Sequence, residues 1–422
     1  MLEALVESAF EYAYPLHAVA QTRYRAVQDP GNPRRHAPNT VQHERQLSDP
    51  GSRWITAPNN DTLYSNAWLD LSQGPVRLRV GAMPAGRYWS VALLDAFTNN
   101  FQVFGQRSNG HDAVDVTLVG PGHSGAGVGA NLIRAPGHDV WMFGRCLVDG
   151  PSDLANSHAM QDRIDVLSPA GICYPARTVP SQSTDARNFL AVVNEVLARN
   201  PAPTSDAELL TRLAIAGLRP GAADAWDAIG ADAQACWIAH IGAAHDKLRR
   251  ASATGRREVQ GWYASAPDMG DFGTNHALRA SVALGGLGAL APAEAMYFVR
   301  FHDAQAQLLH GHRQYLLRIP PAGIPTDSFW SFSMYEPTPD GQRFFVENPI
   351  QRYSIGNRTP GLLHNADGSL DIALQHDAPT HDRWRANWLP TPAGPFQISL
   401  RAYLPRPELR ACTAAMPAII HL

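Results

Sequence analysis

The chain has 422 residues, of which 45% are apolar and 17% charged, with a formal net charge of -3. That length and composition imply two or three domains around large cores. With no basic excess and no long Lys/Arg run, nucleic-acid binding is not expected. Four well-separated cysteines, Cys146, Cys173, Cys236 and Cys412, with no CxxC, exclude a disulfide framework and read as free thiols.

The chain opens MLEALVESAFEYAYPLHAV. Glu3, Glu7 and Glu11 recur at helical spacing, and Leu2, Leu5, Val6, Ala9, Phe10 and Ala13 form the opposite, apolar face. This predicts an amphipathic helix, not a secretory signal. No run of about 18 apolar residues occurs, so no membrane span is expected and the protein reads as cytoplasmic.

Short apolar or alternating runs follow at 76–80, 88–94, 101–104, 114–119 and 140–148, separated by Gly and Pro. This is the pattern of an all-β sandwich or barrel. The loop at 121–131 contains GAGVGA but precedes no helical pattern, so it is not a nucleotide fingerprint. Helical periodicity then takes over at 184–198, 205–217 and 231–251, the last ending in Lys247, Arg249 and Arg250, which suits a helix C-terminus. A second β-rich part follows. Residues 77–95 (RLRVGAMPAGRYWSVALLD) and 316–336 (LLRIPPAGIPTDSFWSFSMYE) run parallel, with Trp89 opposite Trp330. They suggest two similar sandwich domains. The expected fold is therefore mainly β with an α insertion: an N-terminal helix (1–30), a β domain (31–183), a helical segment (184–300) and a β-sandwich domain (301–422).

The stretches APNNDTLYSNAWLDL, GRYWSVALLDAFTNNF and FGQR resemble the bacterial domain of unknown function 1254. FGTNHALRASVALGGLGAL, DSFWSFSMYE, FVENPIQRYSIGNRTPGLLHNADGSLDIALQHDAP and ANWLPTPAGPFQISLRAYLPRPE resemble its companion, domain of unknown function 1214. The resemblance implies two jelly-roll-like sandwiches linked by helices, and no general activity. It also implies Asp-Tyr after FGT and Asp-Arg after SIG. Here Asn275-His276 and Asn357-Arg358 stand instead, which puts any role for those two carboxylates in doubt.

Four clusters could carry chemistry. Asn59, Asn60, Asp61 and Thr62 precede a core strand, either as an Asx-type cap or as the polar floor of a pocket. Asp95, Thr98, Asn99 and Asn100 repeat that chemistry at another strand end. Arg87 and Arg107 stand nearby, able to hold an anionic group or to pair with aspartates in the domain. Asn348, Arg352, Tyr353, Ser354, Asn357 and Arg358 form either an ordered loop or a site with Tyr353 as acid. Gln375-His376-Asp377 offers His376 as a general base, oriented by Asp61 or Asp95, or as a structural histidine. His310-x-His312 has metal-like spacing but no third ligand. Trp68, Trp89 and Trp330 read as core, whereas Trp54, Trp384 and Trp388 lie beside polar segments and could stack on a ligand. Trp384 and Trp388 are expected to be exposed.

The expected function is a soluble enzyme acting on a small polar molecule by acid/base chemistry, of hydrolase or lyase type. Asp61, His376 and Tyr353 are the expected catalytic groups, and Asn59, Asn60, Arg87, Asp95, Asn99, Asn100, Arg358 and Trp388 the expected substrate contacts. The alternative is a carbohydrate- or polyol-binding protein without catalysis; a third reading is an interaction scaffold. No cofactor is expected, with a Ca²⁺ or transition-metal site left open. The expected partners are a small ligand and further copies of the chain, with no nucleic acid and no membrane.

Overall fold

The computed structural model describes residues 2–53, 56–126, 129, 131–168, 177–222, 224–254, 257–338 and 341–422. Trp54, Cys173 and part of the loop at 121–131 lie outside them. The first β-rich part folds into strands β1 (Gln42–His43), β2 (Thr62–Asp70), β3 (Val76–Val80), β4 (Trp89–Leu94), β5 (Asn100–Gly105), β6 (Val114–Val119), β7 (Leu132–Arg134), β8 (Asp139–Leu147) and β9 (Ile164–Leu167). They form two sheets, β1-β2-β8-β4-β5 and β7-β6-β3-β9. Trp89, Val91 and Met142 of the first sheet share a core with Val76, Leu78 and Leu118 of the second. The two sheets are thus the layers of a sandwich.

The C-terminal sandwich uses β10 (Arg257–Val259), β11 (Trp262–Ala264), β12 (Ala295–Arg300), β13 (Tyr315–Ile319), β14 (Trp330–Pro337), β15 (Arg343–Phe344), β16 (Ser354–Gly356), β17 (Leu370–Gln375), β18 (Trp388–Pro390), β19 (Gln397–Tyr403) and β20 (Ala418–His421). One sheet runs β10-β11-β12-β19-β14-β15, with β16 also on β14; the other runs β18-β17-β13-β20. Phe298, Phe332 and Leu400 meet Leu317, Ile372 and Ile419 between them. Strands β10 to β12 fall where the sequence led us to expect only helices. Trp262, Met296 and Phe298 bury in this core, so the sandwich begins at 257 and not at 301.

The two sandwiches repeat one topology. Orders β1-β2-β8-β4-β5 and β11-β12-β19-β14-β16 correspond strand for strand, as do β7-β6-β3-β9 and β18-β17-β13-β20. Both second sheets hold one parallel pair, β6 with β7 and β17 with β18. The Trp-Ser segments aligned in the sequence are β3–β4 and β13–β14, each crossing from one sheet of its sandwich to the other.

Helices Leu2–Val27, Ala186–Arg199, Ala231–Thr254 and His276–Gly285 form a third body with its own core, in which Phe10 stacks on Phe189 at 5.1 Å. Asp185 caps the second of these, accepting from Asn188 N. Arg199, at that helix's end, reaches Asp139 and Asp70 at the ends of β8 and β2, and Arg23 joins it on Asp139. Burial alone would raise the Asp139 pKa, but Arg23 and Arg199 overcome it and hold it low. Among the described residues no helix is long and apolar enough to cross a membrane.

Candidate functional site

Strand β19 alternates in polarity but not in burial. Ile398, Leu400 and Ala402 enter the C-terminal core, while Gln397, Ser399, Arg401 and Tyr403 point the other way and are buried too. Strand β8 behaves alike: Val140, Met142 and Cys146 point into its core, and Trp141, Phe143 and Arg145 away. A strand buried on both faces needs a second cover. Here each sandwich covers the other: Trp68, Tyr88, Trp141 and Phe143 of the first pack with Ala295, Phe329 and Tyr403 of the second.

The topological repeat brings matched side chains to this seam. In the first sandwich Tyr64 pairs with Arg145, and Arg145 with Ser90; in the second Tyr297 pairs with Arg401, and Arg401 with Ser331. Ser90 stands opposite Gly105 and Ser331 opposite Gly356. A Cβ at Gly105 would lie 2.6 Å from the Trp89 carbonyl oxygen, and one at Gly356 2.2 Å from that of Trp330. Each edge thus needs glycine at the same place. Asp61 immediately precedes β2, and Glu294 immediately precedes β12.

Both acids reach out of their own sheet. Asp61 accepts from Ser331 Oγ at 2.5 Å and Ser354 Oγ at 3.3 Å, both of the other sandwich. Glu294 accepts from Tyr88 OH at 2.9 Å and Arg107 Nε at 2.8 Å, again across the seam. Burial raises the Asp61 pKa, against the lowering effect of Arg401 and the two serines. Burial raises that of Glu294 too, against Arg107 and Tyr88. Tyr88 and Tyr403 are pushed well above the ordinary phenol range, by burial first, and so stay neutral donors.

The two arginines differ. Arg401 donates to Ser333 Oγ (2.6 Å), Tyr335 OH (2.7 Å) and the carbonyls of Ala57 (3.0 Å) and Pro58 (3.2 Å). Arg145 donates to the Gly288 carbonyl at 2.9 Å, and its buried Nη1 has no acceptor. Its guanidinium lies over the Phe143 ring at 4.2 Å. Carboxyls of raised pKa, guanidinium cations and phenol donors are thus gathered at one interface.

Of the expected site residues, Asn59 and Asp61 belong here. Asn59 accepts from Asp61 N (2.7 Å), in an Asx turn, and donates to Thr62 Oγ1 (2.9 Å) and Tyr403 OH (3.1 Å). Asn60 instead donates to the Ser48 carbonyl at 2.6 Å.

The others are elsewhere. Asp95 is bound by the backbone amides of Phe97 and Asn99 and by the Asn99 side chain, while Asn99 and Asn100 dock onto Phe272 N and the Ala289 carbonyl. This second Asn-Asn pair therefore tethers the segment around 270–290 and does not meet Asp61. Arg87 does not stand between the clusters: it binds Asp153, with Nη1 at 2.8 Å from Oδ1. Burial would raise the Asp153 pKa, but Arg87, the Asp149 amide and Asn156 together overcome it and take it down to about 2. Arg358 pairs with Asp149, joining the domains at the rim.

His376 is exposed, with Nδ1 2.9 Å from the Thr391 carbonyl. It ends β17, in the sheet that lies across the sandwich core from the seam, so neither Asp61 nor Asp95 orients it. Tyr353 lines a shallow, solvent-open cleft with Asn348 and Arg352. The Arg352 guanidinium is already bonded to the carbonyls of Ala386 and Trp388. Trp388, expected to be exposed, is 2% exposed and donates to the Gln375 carbonyl, because β18 pairs with β17 and closes over it. Among the described residues no three metal-binding side chains converge; His310 and His312 only approach each other.

Sequence reasoning missed Arg145, Arg401, Glu294, Ser331 and the tyrosines. The Trp89/Trp330 alignment held the signal: extended along both domains, it pairs Ser90 with Ser331 and Asp61 with Glu294. Asn275 caps the helix His276–Gly285, accepting from Leu278 N, and Asn357 accepts from Trp330 N at the start of β14. An amide oxygen serves as the acceptor at both.

Residues 38–168 match the family described as "Protein of unknown function (DUF1254)", and residues 294–407 the family described as "Protein of unknown function (DUF1214)". No curated protein matches. Among solved structures, the chain is similar to the VPA0106 protein of Vibrio parahaemolyticus, over 100% of both chains, with 20% identity and a TM-score of 0.75. It is also similar to an uncharacterized protein of Burkholderia cenocepacia, over 98% of this chain and 87% of that one, with 12% identity and a TM-score of 0.48. The Vibrio likeness extends to the fold alone.

Proposed function

Because the chain belongs to the family that joins a DUF1254 domain to a DUF1214 domain, whose descriptions name no activity, the reading comes from the seam, and we propose that the protein is an enzyme acting there on a small polar molecule by proton transfer, of hydrolase or lyase type. The observation that carries this is the pair Asp61 and Glu294. These two carboxyls stand at matched positions on opposite sandwiches, each buried, each raised in pKa and each near a buried arginine. Raised carboxyls hold protons closer to neutrality, which is what a general acid or base needs. Tyr64 and Tyr297 can position a substrate, and the arginines can stabilise developing negative charge.

The test is to incubate the protein with a low-molecular-mass cell extract and follow its components by mass spectrometry. A consumed compound with a matching product is expected. Its conversion should fall by about 100-fold or more in Asp61→Asn and Glu294→Gln, as expected for loss of a general acid or base. Conversion that persists in both variants overturns the reading. The second reading, binding without catalysis, is favoured by the serines that occupy both Asp61 oxygens. It predicts a compound retained unchanged.

A further inference from the structure

The two halves of the seam serve as controls for each other. Arg401 and Arg145 hold equivalent places, each between a tyrosine on one neighbouring strand and a serine on the other. Around Arg401 every nearby acceptor is protein: two carbonyls of the Ala57-Pro58 segment, the Ser333 hydroxyl and the Tyr335 phenol. Around Arg145 the segment before β12 supplies one carbonyl, from Gly288, and Nη1 is left without an acceptor at 4% exposure. A buried guanidinium that lacks a partner is costly, and natural folds rarely leave one unless something binds it.

Nor does a protein carboxylate bond to Nη1. Glu294 is within electrostatic range of Arg145, but its two oxygens are taken by Tyr88 and Arg107. The other groups facing Arg145 are the phenols of Tyr64, Tyr88, Tyr297 and Tyr403. Tyr64, Tyr297 and Tyr403 can donate to an anion, whereas the Tyr88 proton is taken by Glu294. Tyr64 and Asn66 on β2 and Tyr297 on β12 are only half-buried, although they lie on facing sheets.

We propose that Arg145 anchors a small carboxylate ligand in the seam, with the surrounding tyrosine hydroxyls as its further donors. The proposal rests on the seam being the working site. A carboxylate fits because its two oxygens can accept from Nη1 and a phenol together, as the Pro58 carbonyl accepts from Arg401 and Tyr335 on the other side. Its single charge balances one guanidinium. A phosphate dianion would overshoot beside Glu294. The rings of Tyr64, Tyr88 and Phe143 suit an aromatic or apolar body.

The test is calorimetric titration of the full chain with para-iodobenzoate. Inorganic phosphate and the neutral para-iodobenzyl alcohol are run separately, and crystals are soaked with the benzoate. The benzoate should bind at least about tenfold more tightly than either comparison compound. Arg145→Lys, which keeps the charge and the stem, should weaken it by about tenfold with unchanged melting, because the fork is lost. The anomalous iodine peak should lie in the seam, with the carboxylate on Nη1. No binding by wild type, preference for phosphate, equal affinity in Arg145→Lys, or a peak elsewhere each overturns the proposal. The titration reads binding and not turnover. A bound benzoate alongside no metabolite conversion therefore sinks the enzyme reading alone, and conversion without benzoate binding sinks the carboxylate site alone.

Discussion

Asp61 of the N-terminal sandwich accepts a 2.5 Å hydrogen bond from Ser331, 270 residues further on and in the other sandwich. The bond makes the Asn-Asn-Asp stretch a latch between domains. It also places a buried, raised carboxyl where the two domains meet.

That raised pKa fixes a pH signature. A carboxyl whose folded pKa lies above its unfolded value of about 4 favours the fold fully below that value, and loses the advantage as pH rises through the folded pKa. Asp61→Asn keeps the shape and removes the ionisation. It should melt at or above wild type in mildly alkaline buffer, with the difference closing as the pH falls toward about 4. Melting curves across that range check this; a variant less stable by the same amount at every pH contradicts it.

Arg401 and Arg145 should respond unequally to the same change. Arg401→Met strands two carbonyls and two hydroxyls in a buried setting and should cost about 3 kcal/mol. Arg145→Met removes one bond and one unpartnered donor, so its cost should be under about 1 kcal/mol. Urea unfolding of the two variants gives the comparison. Equal losses would mean that the two halves are not differently occupied.

His17 stacks on Phe189 in the helical core at 5.3 Å, with Nε2 unpartnered. Burial takes its pKa from 6.5 down to about 4. The folded state therefore binds fewer protons than the unfolded one between those values. Stability should fall as the pH drops through that window, by on the order of 3 kcal/mol in all, and level off below it. His17→Phe should flatten this part of the stability profile.

Asp139 holds Arg23 and Arg199 together where the helical body meets β8. Asp139→Ala leaves two guanidiniums without their shared anion and should cost about 3–5 kcal/mol by chemical denaturation. A loss of less than about 1 kcal/mol would show that the clamp is dispensable.

Gly356→Ala would set a Cβ 2.2 Å from the Trp330 carbonyl oxygen. Strand β16 must move away from β14, and Ser354 with it. A destabilisation of about 2 kcal/mol or more is expected, together with loosening of the latch, read as faster proteolysis near Pro58.

Local pattern determined much of this protein. The runs at 76–80 and 114–119 are strands with those bounds, and the helices near 186–199 and 231–254 follow from their apolar spacing and, for the first, the Asp185 cap. The resemblance to the two domains of unknown function, and even the duplicated Trp-Ser segment, could be read from one chain. Asn59 and Asp61 stood out because polar groups beside a core strand need partners. What only the tertiary structure decided is which partners. Asp61 and Ser331, or Arg145 and Tyr297, are more than 150 residues apart and meet only because two sandwiches turn one sheet face toward each other. An isolated arginine at an outward strand position looks solvent-facing in sequence, since periodicity reports which side a residue takes and not what later covers that side. The same blindness made Trp388 look exposed and His376 look catalytic, and it hid Glu294 altogether.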